Sequence, residues 1–325
     1  MKIFITGATG FLGTNLVKRL AGTGHGLHCL ARKTSKISEL EKLQVNIVYG
    51  DVTDKSSLLA GMQGCDWVIN LANIYSVWEA DPNVYTEVNI KGTQNVMEAA
   101  LETKVSKVIH VSTVAAYGKP TDVPFTEESS PGLEMFSEYS RTKAEGEKIA
   151  WTFFKEKGLP LVVIYPCPIL GAGDTKVTGQ IIWGLARQKM PATAFHNSVF
   201  TYTHVRDVVE VIVRAAEKEG NIGQKYIVGK EQLSFDELYL MISEIAGVPL
   251  PPIHMPNFVV IFGSKLLTLL ANRLKLPPQF GLSVDGVRLS REGIRADGSK
   301  AERELGIRYT PIREAVKEAI AALPD

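Results

Sequence analysis

The sequence has few cysteines and almost no net charge. Its 325 residues include three cysteines, an odd number at wide spacing, which excludes a paired disulfide framework. Cys29, Cys65 and Cys167 are therefore expected to be core thiols in a reducing compartment. A formal net charge of +1 provides no overall attraction to nucleic acid or to anionic membranes. These absences predict a cytoplasmic protein without a nucleic-acid partner.

Histidine spacing typical of a metal site is also missing. None of the six histidines forms an H-x-x-x-H pair, so we expect no metal. No secretory signal is visible, because the apolar N-terminal run is short and ends at glycine. The most apolar late run, 258–271, is too short to span a bilayer and contains Lys265. We expect it to cover a substrate site or form a subunit contact, with a membrane-surface helix as the alternative.

Strand-like and helix-like runs alternate through the first two thirds of the chain. Continuous apolar strands of this kind are typical of a parallel sheet covered on both faces. Right-handed crossovers then predict a doubly wound α/β fold of the Rossmann type. The predicted strands are 2–6, 27–31, 45–49, 67–71, 107–112, 161–165 and 225–228. The predicted helices between them include 12–20, 56–62, 86–102 and 138–157.

The chain changes character after residue 166. Residues 167–200 mix glycines, aromatics and short apolar stretches, and residues 231–325 are mostly helical in pattern, at 235–246, 259–274, 300–305 and 312–323. We expect a dinucleotide-binding domain of residues 1–166 plus 201–230. A smaller, mostly helical substrate lobe of residues 167–200 plus 231–325 is expected over the carboxyl ends of the strands, where such folds bind ligands.

A glycine-rich turn follows the first predicted strand. The segment 6–13, T-G-A-T-G-F-L-G, leads into a run with leucines at helical spacing. Strand, glycine-rich turn and helix in this order predict a dinucleotide site. Gly7 would permit the tight turn, Gly10 would let the backbone approach a pyrophosphate, and Gly13 would let the helix pack closely on the strand. The alternative is a turn whose glycines serve packing alone.

Tyr139 and Lys143 are four residues apart and share one face of a predicted helix. A free tyrosine titrates near pH ~10, too high for proton transfer at neutral pH. A nearby ammonium favours the phenolate and lowers the phenol pKa, so that the tyrosine can exchange a proton with a carbonyl or hydroxyl oxygen. The alternative is a surface pair on an amphipathic helix, which the upstream glycine turn disfavours.

The fifth predicted strand is followed by hydroxyl side chains, Ser112 and Thr113. A hydroxyl at this point can hydrogen-bond the reacting oxygen of a substrate. The alternative is a hydroxyl that only caps the strand end. The pattern itself does not select between the two residues.

Together these motifs resemble those of the extended short-chain dehydrogenases/reductases, in the NAD-dependent epimerase/dehydratase superfamily. Within it the chain is similar to the dihydroflavonol reductase-like and 3β-hydroxysteroid dehydrogenase-like branch, including plant farnesol dehydrogenase-like proteins. The resemblance covers nearly the whole chain. Its further marks are G-D-V-T-D at 50–54, N-L-A at 70–72, N-I-K-G-T-Q-N at 89–95, S-T-V-A-A-Y-G at 112–118, Y-P-C-P-I-L-G at 165–171 and H-V-R-D-V at 204–208.

The resemblance implies catalytic roles for four residues. It assigns Tyr139 as the acid–base, and Lys143 as the residue that binds the nicotinamide ribose and lowers the pKa of that tyrosine. The family's hydroxyl residue lies four positions before the tyrosine of the Y-G pair, here Tyr117, which selects Thr113. Asn89 matches an asparagine that steadies the packing of the active-site helix.

The resemblance also implies a set of cofactor contacts. Asp51 and Val52 match a pair that contacts adenine, and Ala72 and Pro166 match backbone positions that line the nicotinamide. The family usually has arginine before this proline, and here that residue is Tyr165, which puts in doubt an anionic-substrate contact at this position. The expected cofactor-binding residues are Gly7, Thr9, Gly10, Phe11, Leu12, Gly13, Arg32, Lys33, Asp51, Val52, Leu71, Ala72, Tyr139, Lys143, Pro166 and Ile169.

The end of the second predicted strand indicates which nucleotide is preferred. An acidic residue about 20 positions past the glycines would accept hydrogen bonds from the ribose 2′-hydroxyl and favour NAD(H). Here Arg32 and Lys33 occupy this place, and cations suit a 2′-phosphate. We therefore expect NADP(H), with NAD(H) possible. The alternative is a solvated basic loop.

Aromatic side chains are expected at the mouth of the substrate site. Tyr75, Trp78 and Phe136 would suit a largely apolar carbonyl or alcohol, although packing between lobes is an equal alternative for each. We predict an NADP(H)-dependent oxidoreductase acting on such a substrate. The alternatives are a nucleotide-sugar epimerase or dehydratase that recycles its cofactor, and a redox-sensing regulator without turnover. By family likeness, helices 86–102 and 138–157 would form a homodimer contact.

Overall fold

The central sheet positions the candidate functional residues. The structure, a computed structural model, describes residues 1–323. Its strands are β1 (Lys2–Thr6), β2 (Gly26–Ala31), β3 (Asn46–Tyr49), β4 (Trp67–Asn70), β5 (Lys107–Val111), β6 (Leu161–Pro166), β7 (Ile169–Leu170), β8 (Ala192–Thr193), β9 (Val199–His204), β10 (Lys225–Val228), β11 (Glu231–Ser234) and β12 (Ile253–His254). Seven of them form one parallel sheet in the order β3, β2, β1, β4, β5, β6, β10. The order reverses between β1 and β4, where sheets of this kind bind ligands at the carboxyl ends of the strands.

Helices cover both faces of this sheet. They are α1 (Phe11–Leu20), α2 (Ser38–Glu41), α3 (Lys55–Met62), α4 (Asn83–Tyr85), α5 (Thr93–Glu102), α6 (Glu138–Lys157), α7 (Val177–Ala186), α8 (Val205–Glu217), α9 (Phe235–Ala246), α10 (Asn257–Leu274), α11 (Val284–Glu292), α12 (Ser299–Leu305) and α13 (Ile312–Ala321). A π-helix, Thr86–Gly92, joins α4 to α5, and short 3-10 helices form at Val114–Tyr117 and Gln279–Gly281. Helices α3, α5 and α6 cover one face of the sheet, and α1, α8 and α12 cover the other.

The apolar strands explain why both faces are covered. Successive side chains of a strand point to opposite faces, so a continuous apolar run needs a core on each side. In β1, Phe4 packs on the α6 side, while Ile3 and Ile5 pack on the α1 side, and all three are 0% exposed. The prediction of a doubly wound parallel sheet is confirmed.

A second group of elements lies beyond β6. Strands β7, β9 and β11 form a small sheet, β8 pairs with β12, and α7, α9 and α13 pack together beside them. Strand β10 joins the main sheet, in keeping with the placement of residues 201–230. Helix α12 and Ile307, from the part assigned to the second lobe, also pack on the main sheet's core. The boundaries 1–166 plus 201–230 and 167–200 plus 231–325 remain a prediction.

The seven predicted sheet strands end within one residue of the observed ones. The predicted helix 86–102 instead begins at α4 and contains the π-helix. Helices α7, α8 and α11 were missed. Helix α8 is rich in valine and isoleucine, whose β-branched side chains favour strands, so its composition concealed its helical period.

The apolar run 258–271 lies within α10, which is longer than expected. With 18 residues, α10 is the one helix in residues 1–323 that is long and apolar enough to cross a membrane by length and composition. The run 258–271 by itself stays too short to span a bilayer, and the flanking residues of α10 supply the additional length. Within α10, Ser264 and Ala271 are buried, and most of the other side chains are exposed.

Candidate active site

The glycine-rich turn fits tightly against the neighbouring strand end. Gly7 has a positive φ of 67°, and an added Cβ would lie 2.9 Å from the Ala72 backbone nitrogen. A Cβ on Gly13 would lie 2.1 Å from the Gly7 carbonyl oxygen, so α1 can approach β1 only with glycine there. The Gly10 N–H donates to the Gly7 carbonyl at 3.0 Å and closes the turn.

The first turn of α1 presents free backbone amides at the carboxyl edge of the sheet. Its N-cap is Gly10, which provides no side-chain cap, and the first turn carries no acidic residue. Uncapped amides and the helix dipole favour an anion such as a pyrophosphate. The tight turn and the open helix end therefore fit a dinucleotide. Thr9, Phe11 and Leu12 belong to the same turn and helix start, as predicted.

The predicted adenine-side residues lie at the ends of β2 and β3. Arg32 and Lys33 follow β2 directly and are exposed. Asp51 lies just past β3, and its carboxylate accepts hydrogen bonds from the Thr53 amide at 2.9 Å and hydroxyl at 2.8 Å. Val52 is buried. Strand β2 adjoins β1 and β3 adjoins β2, so the topology brings the four predicted residues to the glycine-turn side of the sheet.

The Thr113 side chain lies near the Tyr139 phenol and lowers its pKa against the larger, raising effect of burial. Tyr139 lies in the first turn of α6, which Ser137 caps by accepting from the Ser140 amide. Thr113 follows β5 and caps the next 3-10 turn. The structure therefore brings the two predicted catalytic hydroxyls together at the carboxyl edge of β5.

Lys143 lies one turn further along α6 and is buried. Its Nζ donates to the Val111 carbonyl oxygen at 2.8 Å. Burial lowers the pKa of Lys143 to about 8, against an opposing attraction from Glu147. Burial raises the pKa of Tyr139, and Lys143 is not among the groups that shift it. Desolvation of the phenol is the largest effect on the pKa of Tyr139. The lowering of the tyrosine pKa by Lys143 stays a prediction.

Glu147 continues the face of α6 that carries Tyr139 and Lys143, and the sequence analysis missed it. Its carboxylate accepts from the hydroxyls of Ser112 at 2.7 Å and Tyr165 at 2.5 Å. Ser112 is thus held by Glu147, whereas Thr113 lies near Tyr139. The choice of Thr113 as the catalytic hydroxyl stays a prediction. The spacing Y-x-x-x-K-x-x-x-E was the available signal.

Asn89 connects the π-helix to the active-site helix. Its Nδ2 donates to the Thr142 hydroxyl at 3.0 Å, and its Oδ1 accepts from the Ile74 amide at 2.8 Å. A Cβ on Gly146 of α6 would lie 2.2 Å from the Asn89 carbonyl oxygen, so the two helices are in close contact. The predicted steadying role of Asn89 agrees with these contacts.

A row of buried polar side chains crosses three strand ends and was not foreseen. The Thr6 hydroxyl donates to Asn70 at 2.6 Å, and the Asn70 amide contacts His110 Nδ1 at 3.0 Å. Burial, with a smaller effect of the nearby Lys143 charge, holds the pKa of His110 well below its usual range. Its Nε2 has no hydrogen-bond partner among the described residues. Thr6 also accepts from the Ala72 amide, at 3.1 Å, and so fixes the predicted backbone position after β4.

The predicted aromatic residues occupy three different settings. Tyr75 contacts the Tyr139 ring edge to face, with 5.2 Å between centroids. The Trp78 indole is half-buried and donates to Asn272 of α10 at 2.8 Å. Phe136 is 3% exposed and packs in the core beside α6. Tyr75 therefore lies beside Tyr139, Trp78 lies beside α10, and Phe136 contributes to packing, while a substrate contact at each stays a prediction.

The remaining predicted positions cluster around β6. Pro166 ends β6 opposite Val228 of β10, and Ile169 lies in β7, so both reach the carboxyl edge. Leu71 is buried just after β4. Within residues 1–323 no group of three or more His, Cys, Asp or Glu side chains is arranged to hold a metal ion.

The parallel sheet and the residues at its carboxyl edge are typical of a dinucleotide-dependent oxidoreductase of the short-chain type. Residues 3–229 match the NAD dependent epimerase/dehydratase family, and the chain belongs to this family. Curated relatives with the names of reductases agree with an NAD(P)-dependent enzyme acting on CH–OH and keto groups.

The chain is similar to individual proteins over nearly its whole length. A Synechocystis sp. protein with the provisional name of a dihydroflavonol 4-reductase is 31% identical over 98% of this chain and 93% of its own. Sterol demethylase protein B of Methylococcus capsulatus is 30% identical over 99% and 98%. Among solved structures, gox2253 superposes with a TM-score of 0.84 at 33% identity, over 98% of this chain and 97% of its own. The UDP-glucose 4-epimerase of Thermus thermophilus, solved with NAD, has a TM-score of 0.78 at 22% identity over 99% and 98%, which shows a shared fold.

Proposed function

We propose that this protein is an NADP(H)-dependent reductase that interconverts a mostly apolar ketone or aldehyde and its alcohol. The observation that carries the proposal is the position of Tyr139, in edge-to-face contact with the ring of Tyr75 and with the Thr113 side chain near its phenol. The two hydroxyls together would bind one carbonyl oxygen. The aromatic ring next to them offers an apolar wall.

The state of Tyr139 suits a proton donor. Its raised pKa keeps the phenol protonated at neutral pH, and the phenol can donate this proton to the carbonyl oxygen as it becomes an alkoxide. Thr113 would hold the same oxygen by a second hydrogen bond, which strengthens as negative charge develops. A bound nicotinamide supplies the hydride in reduction and accepts it in oxidation.

Lys143 would bind the nicotinamide ribose, and Asn89 would hold α6 in place through Thr142. The glycine turn and the amides at the start of α1 would bind the pyrophosphate. Asp51 and Val52 would contact the adenine, and Ala72, Pro166 and Ile169 would line the nicotinamide. Each of these assignments is supported by position at the carboxyl edge.

Arg32 and Lys33 support the preference for NADP(H). Both are exposed at the end of β2, where an acidic side chain would select the 2′-hydroxyl of NAD(H). A guanidinium can grip a 2′-phosphate with paired hydrogen bonds. We include NAD(H) as the alternative cofactor.

The apolar substrate class is supported by Tyr75, Trp78 and the names of relatives that act on flavonoid- or sterol-like compounds. We infer a flavonoid-like, terpenoid or steroid-like carbonyl or alcohol. The alternative is a nucleotide-sugar epimerase or dehydratase. That reaction needs cations for the diphosphate. His196 and Arg206, two basic residues that could contact a sugar or its phosphate, already contact Asp236 and Glu318.

A substrate panel followed by nicotinamide absorbance tests the proposal. The panel contains hydrophobic ketones, aldehydes and alcohols together with UDP- and dTDP-sugars, each with NADPH, NADH and the oxidised forms. Turnover of apolar compounds, with affinity nearly independent of ionic strength, is the expected result, because little charge is neutralised. Turnover confined to nucleotide-sugars with salt-sensitive affinity would favour the alternative.

Two further assignments remain proposals. Three buried, unpaired cysteines suit a reducing compartment and support a cytoplasmic location. A homodimer built from the 86–102 and 138–157 helices rests on family likeness, and light scattering of the purified protein tests it.

A further inference from the structure

Exposed apolar side chains are concentrated on one helix. Among the described residues, 18 large hydrophobic side chains are exposed, and nine of them lie within residues 257–276. The most exposed are Phe262 at 68%, Phe258, Leu274 and Leu276 at 64% each, and Leu266 at 60%. A contiguous exposed patch of this kind marks an interaction surface, whereas single exposed apolar residues are ordinary.

The patch covers one side of α10, with Arg273 of the last turn on the same side. At about 100° per residue, the exposed apolar positions from Phe258 to Leu274 cover roughly half of the helix circumference. The other side is tied to the protein body: Ser264 and Ala271 are buried, and the Thr268 hydroxyl accepts from the Val284 amide at 3.0 Å. Helix α10 is therefore fixed in orientation, with its apolar side facing outward.

The charge on this segment has one sign. Residues 245–284 contain no aspartate or glutamate, although they include Lys265, Arg273 and Lys275. Lys275 donates to the Ala80 carbonyl, between Glu79 and Asp81, so the argument rests on Lys265 and Arg273. Lys265 lies 5.3 Å from the centre of the Phe262 ring, at the border of the apolar surface. Arg273 lies in the last helical turn.

We propose that α10 lies on the surface of an anionic lipid bilayer, with its exposed apolar side inserted among the acyl chains. Apolar side chains flanked by cations bind such a surface by burial of apolar area and by attraction to anionic headgroups. A second copy of this chain is disfavoured as the occupant. A symmetric contact would set the patch against itself and bring like charges together with no acidic residue of α10 to pair them.

Helix α10 lies in the bilayer plane and does not span it. A spanning helix would withdraw all of its sides into lipid, whereas Thr268 and Asn272 hydrogen-bond to the protein body. Insertion of one apolar side leaves these contacts intact. The main sheet and the dinucleotide edge then remain in water.

This orientation places the site entrance beside the lipid. Asn272 of α10 accepts the hydrogen bond from the Trp78 indole, and the Ser283 hydroxyl donates to the Val77 carbonyl oxygen. An apolar substrate dissolved in the membrane would reach the Trp78 side without crossing water. This last step rests on the proposed function, whereas binding of the lipid surface does not.

Cosedimentation with vesicles tests the proposal, without substrate or cofactor. The full chain is mixed with vesicles of phosphatidylcholine alone or with added phosphatidylserine. We expect binding to the mixed vesicles, weaker binding to neutral vesicles, and a decline with salt. The double variant Phe262→Asp/Leu266→Asp should bind at least ten-fold more weakly. Lys265→Glu/Arg273→Glu, which keeps the apolar side chains, should lose the preference for phosphatidylserine.

The matched control replaces equally exposed apolar residues elsewhere. Leu133→Asp/Leu240→Asp alters side chains that are 104% and 46% exposed and lie outside α10, and its vesicle binding should equal that of the unaltered protein. Circular dichroism checks the fold of each variant.

Failure of the unaltered protein to cosediment, or equal binding by Phe262→Asp/Leu266→Asp, would overturn the proposal. A dimer in light scattering that Phe262→Asp/Leu266→Asp converts to a monomer, without vesicle binding, would identify a second copy as the occupant. Turnover of a water-soluble carbonyl tests the reductase separately, and these variants should leave it unchanged.

Discussion

The hydroxyl of Tyr165 donates a hydrogen bond to Glu147 at 2.5 Å, inside the contact between β6 and α6. Tyr165 is 0% exposed and stands where the resembling family usually has arginine. A side chain directed at Glu147 from this strand does not line an open substrate site. Tyr165 therefore makes no contact with an anionic substrate, and the absence of arginine does not by itself distinguish an apolar from an anionic substrate. The burial of position 165 is the physical reason.

Tyr165→Phe should lower the free energy of unfolding by about 1.5–3 kcal/mol, since it removes a donor from a charged acceptor. Chemical denaturation measures this loss. Tyr226→Phe is the matched control, because Tyr226 is equally buried and donates to Glu304 at 3.0 Å, away from the site. The two variants should lose comparable stability, but only Tyr165→Phe should change the pH profile of turnover. Identical profiles for both would contradict a link from Tyr165 through Glu147 to the site.

Tyr139→Phe removes one hydroxyl and should reduce turnover by roughly 10²–10⁴-fold, because general acid–base catalysis contributes about that much. Folding and cofactor affinity should persist. Tyr75→Phe, which removes the hydroxyl of the ring in contact with Tyr139, is the control and should cost far less. Turnover of Tyr139→Phe near that of the unaltered protein would remove Tyr139 from the mechanism.

Arg32→Asp should shift cofactor preference toward NADH by roughly ten-fold or more, as one lost charge-assisted contact costs on the order of 1.5–3 kcal/mol. Fluorescence quenching gives the two dissociation constants. Lys36→Asp makes the same charge change on an exposed side chain of the same loop and should have a smaller effect. Equal affinities for NADPH and NADH in the unaltered protein would refute the preference.

Lys143 should make stability depend on pH. Burial lowers its pKa from 10.5 to about 8, so between these values the unfolded chain binds more protons than the folded one. The free energy of unfolding should therefore rise with pH across this window, by up to roughly 3 kcal/mol relative to Lys143→Met. Glu147→Gln should move the rise to lower pH, because the Glu147 charge opposes the lowering. If the free energies of unfolding of the unaltered protein and of Lys143→Met differ by the same amount at every pH, the lowered pKa of Lys143 is contradicted.

Trp78→Ala should raise KM for an apolar substrate if the indole lines the entrance, because burial contributes roughly 25 cal/mol per Å². Trp78→Phe keeps an aromatic ring but loses the hydrogen bond to Asn272. Its KM should lie between the KM of the unaltered protein and that of Trp78→Ala. Steady-state kinetics on the best substrate of the panel supply the comparison. An unchanged KM in Trp78→Ala would place the indole outside the substrate site.

The sequence by itself determined the parallel sheet, and it predicted the candidate cofactor and catalytic residues at the carboxyl edge. Continuous apolar strands, the glycines at 7, 10 and 13, and the four-residue interval from Tyr139 to Lys143 are local patterns, and local sterics and helix periodicity give them meaning. The seven strands of the main sheet were predicted from the continuous apolar runs.

Only the tertiary structure decided the contacts between distant segments. It paired Tyr165 with Glu147, left Tyr139 with a raised pKa, and turned the apolar side of α10 outward while Asn272 held Trp78. Burial and hydrogen-bond partners come from residues far apart in the chain. Burial and hydrogen-bond partners set the free-energy cost of a charge and the exposed fraction of an apolar side chain. No residue spacing within one segment determines either quantity.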